Sequence, residues 1–180
     1  MKVLLLTDGV YPYVLGGMQK HSYYLAKYLN RKGIRVHMVH CVYQGEVPKG
    51  EAESAEYADF DASLMAFSAY RFPDGGRLPG HYVRANKQYS VQLYQDFKDR
   101  LSEFDLIYAQ GFTGWEFIRQ AKKGAHKVPV FVNLHGYEMF QRPPSTKVRL
   151  KLQLMKGIAR DLSVGADFVF SFGICLNGLQ

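Results

Sequence analysis

The chain has 180 residues, 47% of them hydrophobic, which suits one ordinary domain with a sizeable core and excludes disorder as the main state. Its net charge of +7 is compatible with nucleic acid, an anionic membrane surface or a phosphorylated small molecule as partner. No apolar run approaches a membrane span, and Cys41 and Cys175 make no disulfide framework, so the expected setting is reducing and cytoplasmic.

The charge is local. Residues 46–61 hold Glu46, Glu51, Glu53, Glu56, Asp59 and Asp61 against Lys49 alone. Residues 142–160 hold Arg142, Lys147, Arg149, Lys151, Lys156 and Arg160 with no acid. The opening, MKVLLLTDG, is charged and then apolar, but it meets Asp8 too soon to form a signal-peptide core.

In chain order, Val3 to Thr7 reads as a buried strand. A loop with Pro12 leads to the pair Gly16-Gly17. A helix is predicted from there to about Lys32, with Met18, Leu25 and Leu29 on one face and Gly33 as its stop. Ile34 to Val42 is the second strand, which completes a βαβ unit. Residues 44–62 read as a solvated loop, and Leu64 to Tyr70 as a third strand. Gly75-Gly76 lies in loop chemistry without a strand-to-helix context, so no ligand is assigned there. A helix is predicted over Ala85 to Phe104, where Leu93, Phe97, Leu101 and Phe104 share a face. Asp105 to Gln110 is a strand ending at Gly111. A short helix, Thr113 to Lys123, follows with Trp115 and Ile118 inward. Pro129 to Leu134 is apolar on both faces, as a central parallel strand should be, and it ends in His135-Gly136. Thr146 to Ser163 is read as a helix despite the alternation of Val148, Leu150 and Leu152, and Ala166 to Phe172 as the last strand. About six strands alternating with helices predict a doubly wound, Rossmann-like parallel α/β sheet with helices on both faces.

In such a sheet ligands bind where strands end and helices begin. That edge would gather the loop from Asp8 to Gly17, Gln110-Gly111, His135-Gly136 and Ser171. Adjacent glycines allow positive φ and remove Cβ atoms that would hold a ligand off the backbone. The helix that follows favours an anion. His135, bordered by Gly136 and titrating near neutrality, is the candidate to exchange a hydrogen bond with phosphate or a sugar hydroxyl. The chain has no GxGxxG and no acid ending the second strand, which weakens a dehydrogenase reading. It has no GxxxxGK[ST], no zinc spacing and no GxSxG. Its aromatics fall at core spacings rather than among Lys and Arg, so nucleic acid is not an expected partner.

The opening KVLLLTDGVYPYVLGGMQKHSYYLAKYLNRKGIRVHMVH resembles the start of the group 1 (family 4) glycosyltransferases of GT-B fold. DLIYAQG, PVFVNLHG and GADFVFSF agree with that family's later blocks in order, so the resemblance covers nearly the whole chain. It implies that residues 1–180 are the N-terminal, acceptor-side Rossmann-like domain of a retaining enzyme. Such an enzyme moves a sugar from a nucleotide-sugar donor to a sugar or lipid-linked acceptor, usually without a metal or other cofactor. It implies that Gly16 and Gly17 approach the donor phosphates or the transferred sugar and that His135 is catalytic, lining the reaction site. Tyr11 and Gln19 would be acceptor contacts by position, although Gln19 departs from the acidic residue many members carry there. The family's second domain, with its nucleotide pocket and paired glutamates, has no counterpart in the sequence, so a fragment inactive alone is expected. Residues 147–160 form a basic amphipathic stretch suited to peripheral contact with an anionic membrane. The alternatives are a non-catalytic Rossmann-like domain for a small phosphorylated ligand or protein partner, and, more weakly, an oxidoreductase domain with a degenerate fingerprint.

Overall fold

A computed structural model describes residues 1–43, 57–76, 80–134, 138–140, 142 and 146–170. Six parallel strands form one sheet: β1 (Lys2–Leu6), β2 (Arg35–Val42), β3 (Met65–Arg71), β4 (Leu106–Gln110), β5 (Val130–Asn133) and β6 (Phe168–Phe170). Their spatial order is β3-β2-β1-β4-β5-β6, so the chain builds outward from β1 on one side, then crosses back and builds outward on the other. Four helices link them: α1 (Gly17–Arg31), α2 (His81–Phe97), α3 (Trp115–Ala121) and α4 (Thr146–Gly165).

The sheet divides the core in two. On β1, Leu4 and Leu6 face the cluster made with α2, α3 and α4, while Val3 and Leu5 face α1. All four are essentially inaccessible, which is why the strand reads as an unbroken apolar run instead of an alternating one. The second face of β2 accommodates His37, whose ring meets Phe97 and Phe104 edge-on and whose Nε2 lies 2.8 Å from Ser68 Oγ. Burial, with Arg100 and Lys2 nearby, lowers its pKa to about 4, so it is a neutral core residue.

Three sequence readings change. The helix predicted to reach Phe104 starts earlier, at His81, and ends at Phe97, passing into a 3₁₀ stretch over Lys98–Glu103. Leu93, Phe97, Leu101 and Phe104 are nonetheless all buried, because the tighter winding keeps Leu101 and Phe104 on the inner side. β5 is an interior strand but second from the edge; β1 and β4 hold the centre. The predicted loop over 44–62 is packed at its far end: Tyr57 is buried among Tyr23, Phe60 and Phe67 on the α1 side, and Asp61 begins a short 3₁₀ turn, Ala62–Leu64. Residues 44–56 lie outside the described residues. The helix over Thr146 to Ser163 is present and runs to Gly165, with Ile158, Ala159 and Leu162 in the core.

Candidate functional site

All six strands point the same way, so their C-terminal ends share one edge of the sheet. At its centre the chain leaves β1 through Thr7, Asp8 and Gly9, and hydrogen bonds to neighbouring segments hold that exit. The Thr7 amide donates to the Val39 carbonyl at 2.8 Å, and the Tyr89 hydroxyl donates to the Thr7 carbonyl at 3.1 Å. The Cys41 thiol donates to the Asp8 carbonyl at 2.9 Å. Burial, and then the Asp8 charge, push that thiol well above its ordinary range, so Cys41 is an inert clasp. Gly9 has φ 147°, and a Cβ there would sit 2.9 Å from Val14, so both conformation and space require glycine. Beyond it, the Tyr11-Pro12 bond is cis.

The loop then turns into α1. Gly16 has φ 164° and ψ 168°, extended backbone that any residue adopts, and neither it nor Gly17 lies in the left-handed region; the expected need for such backbone at this pair is corrected. Their reason is space. A Cβ on Gly16 would collide with Gln19 Oε1, because the Gln19 side chain folds back over the start of its own helix. A Cβ on Gly17 would meet nothing within 4 Å. Gly17 is exposed, and no packing among the described residues asks for a glycine there. The helix start has no side-chain cap and no acid in its first turn, so its amide groups and dipole present an unneutralised positive end.

Gln19 reaches from that start to Asp8, with Nε2 3.4 Å from Oδ1. Asp8 is 7% exposed, and among the described residues Gln19 is the one side chain that hydrogen-bonds its carboxyl group. Burial raises its pKa to about 6, a rise moderated by its backbone hydrogen bond and by Gln19. Gly111, at φ 62°, brings the end of β4 close: a Cβ there would lie 3.9 Å from Asp8 Oδ2. Its amide donates to the Asn133 carbonyl at 2.8 Å, which couples the ends of β4 and β5. Gln110, fully buried, accepts from Ser22 of α1 at 2.7 Å, so the ends of β4 and α1 are fixed together.

Gln19 and Gly111 therefore meet at Asp8, with Gly16 against Gln19 and Gln110 fixed to α1 through Ser22. Tyr11 is tied both to Gln19 and to the α1-side core: its amide donates to the Gln19 carbonyl at 3.3 Å, its ring meets Tyr23 edge-on at 5.8 Å, and its carbonyl accepts from the Tyr57 hydroxyl at 2.8 Å. His135, Gly136 and Ser171 lie outside the described residues; β5, which leads to His135, ends on the same edge. Sequence reasoning missed Asp8, which belongs to no spacing motif. The available signal was a carboxylate just after the most buried strand, at the centre of the ligand-binding edge. Among the described residues no group of three His, Cys, Asp or Glu side chains could hold a metal ion, and no helix is long and apolar enough to cross a membrane.

A buried carboxyl group beside an uncapped, glycine-bordered helix start can receive an anion and a hydroxyl side by side. The family model for Glycosyltransferase Family 4 matches residues 15–170, beginning one residue before the glycine pair. The chain belongs to glycosyltransferase family 4. No curated protein matches the sequence significantly. Among solved structures, LpCGTa in complex with UDP aligns with a TM-score of 0.55 at 11% identity, over 95% of this chain and 46% of its own. An α,α-trehalose-phosphate synthase (UDP-forming) from Burkholderia xenovorans, in complex with glucose-6-phosphate, aligns with a TM-score of 0.54 at 14% identity. That alignment covers 93% of this chain and 40% of the synthase. These likenesses show the Rossmann-like fold of a GT-B half. The family 4 chain described here spans less than half the length of either structure.

Proposed function

We propose that this family 4 chain is the acceptor-side half of a retaining glycosyltransferase that uses a nucleotide-sugar donor, and that it does not turn over alone. The observation that carries the reading is the open space over Gly17 at the uncapped start of α1. That is a place for phosphate oxygens and for nothing in the chain's own described packing. In such a transfer the bond from the anomeric carbon to the donor phosphate breaks, the acceptor oxygen takes its place, and the acceptor proton leaves with the nucleoside diphosphate. Charge builds on the departing diphosphate, where the amide groups of an α1 start aimed at it act electrostatically. Asp8, oriented by Gln19, is the group that would accept a hydrogen bond from the acceptor hydroxyl, and His135 the group that would line the reacting sugar. The UDP and glucose-6-phosphate bound in the two similar structures support a nucleotide-sugar donor and a sugar acceptor. The basic run of α4 supports peripheral contact with an anionic membrane, in a cytoplasmic enzyme. No metal or other cofactor enters this reading.

In the full-length enzyme, His135→Ala should lower turnover at least a hundredfold while the melting temperature moves by a few degrees at most; loss of fold with normal activity in the folded fraction would refute the role. Sugar transfer by the isolated chain would refute its dependence on a second half.

A further inference from the structure

A second feature lies on the same sheet edge, beyond the end of β5. A short 3₁₀ turn, Glu138–Phe140, and the first half of α4 enclose a cavity of about 280 Å³. Met139, Phe140 and Leu152 line it with apolar surface; Arg142, Arg149 and Lys156 line it with positive charge. Arg149, Leu152, Gln153 and Lys156 are spaced at i, i+3, i+4 and i+7, so one face of α4 supplies them together. The opposite face, Met155, Ile158, Ala159 and Leu162, is committed to the core. Leu152 also packs against that core, whereas the Arg149 and Gln153 side chains on the pocket face are exposed.

Its chemistry is one-sided. Among the described residues no carboxylate forms an ion pair with Arg142, Arg149 or Lys156, although the charged pairs elsewhere, such as Lys27–Asp59 and Arg119–Glu116, are matched. Lys156 Nζ stands 5.8 Å from the Phe140 ring centroid, so the cation is aligned along the pocket wall, and Phe140 itself is 40% exposed. Two guanidinium groups and an ammonium, with no acid among the described lining residues, select a phosphate, which accepts several charge-assisted hydrogen bonds at once. The apolar lining selects a hydrocarbon next to that phosphate.

We propose that this cavity binds a phosphate or phosphodiester group carried next to an apolar chain. Placing that group on the acceptor rests on the glycosyltransferase reading above; the binding itself does not. The shared chemistry has two sources, a soluble alkyl phosphate and the headgroup of a bilayer lipid.

The test is direct binding to the purified protein by calorimetry, with octyl phosphate, inorganic phosphate and neutral octyl glucoside, and by flotation with phosphatidylglycerol or phosphatidylcholine vesicles. Octyl phosphate is expected to bind at least tenfold more tightly than inorganic phosphate, and octyl glucoside not at all. The double variant R142A/R149A should lose at least tenfold in octyl phosphate affinity with an unchanged melting temperature. K98A/K127A, at the opposite edge of the sheet, should bind as the parent does. If only phosphatidylglycerol vesicles bind, and R142A/R149A abolishes that, the phosphate comes from the bilayer and the site stands. Equal binding of octyl glucoside, equal losses in both double variants, or no loss in R142A/R149A would overturn the proposal. Sugar transfer by a protein that binds none of these probes would refute the pocket alone. Probe binding by a full-length enzyme that transfers from no nucleotide sugar would refute the reading it rests on.

Discussion

Asp8 is held at a cost to the fold. Its carboxyl titrates near 3.8 when unfolded and at about 6 when folded, so the native state keeps its proton longer. Stability from that protonated form is complete below about pH 4 and is lost as pH rises through 6, by about 3 kcal/mol at most. Asp8→Asn should therefore stabilise the protein at pH 7 by about 1–3 kcal/mol in urea unfolding while lowering sugar transfer in the full-length enzyme. A variant neither more stable nor less active would remove Asp8 from the site. The sequence shows this aspartate only as a carboxylate following a buried strand, because its environment is assembled from three distant segments: Gln19, Cys41 and Gly111. Gly16 and Gly17 were legible as a pair, but the reason for them was not. Backbone freedom was expected, whereas the Gln19 side chain and an open space are what the fold provides.

At the scale of elements, periodicity and turn residues reveal the six strands and four helices, although α1 buries Ser22, Tyr23, Ala26 and Asn30 while the marked Met18, Leu25 and Leu29 are only half-buried. The end of α2 was not legible, because a change from α to 3₁₀ winding preserves the same buried positions. Contacts between elements leave still less trace. Ser90 on α2 donates to the Thr113 carbonyl at 2.6 Å and accepts from the Glu116 amide at 2.9 Å, so it caps α3 from a neighbouring helix. Glu116, buried in turn, is gripped by Arg119 at 2.6 and 2.7 Å and by Gln120 at 2.6 Å. Ser90→Ala should cost about 1–3 kcal/mol, read from the midpoint of urea unfolding, because it leaves a buried amide without its partner. Less than about 0.5 kcal/mol would show that water replaces the hydroxyl freely.

Over the whole molecule, burial opposes itself in pH. His37 and His40 both have pKa values lowered to about 4 by burial, His40 beneath the stacked ring of Tyr13. Each takes up a proton on unfolding between about pH 4 and 6.5, so their stability is lost as pH falls through that window. Asp8 acts in the opposite sense. These three groups together give about one proton, a slope of about 1.4 kcal/mol per pH unit between 4 and 6, and Asp8→Asn should double it. A slope unchanged by the substitution would contradict the burial of Asp8. The proposed function depends on the sheet edge that all six strands share. The most direct measurement is sugar transfer from a panel of nucleoside-diphosphate sugars by full-length enzyme carrying Gly17→Val. Two methyl groups would then stand in space that the described chain leaves empty. The account expects a melting temperature within a few degrees of the parent and transfer reduced at least a hundredfold. Transfer at the parent rate by the folded variant would contradict it.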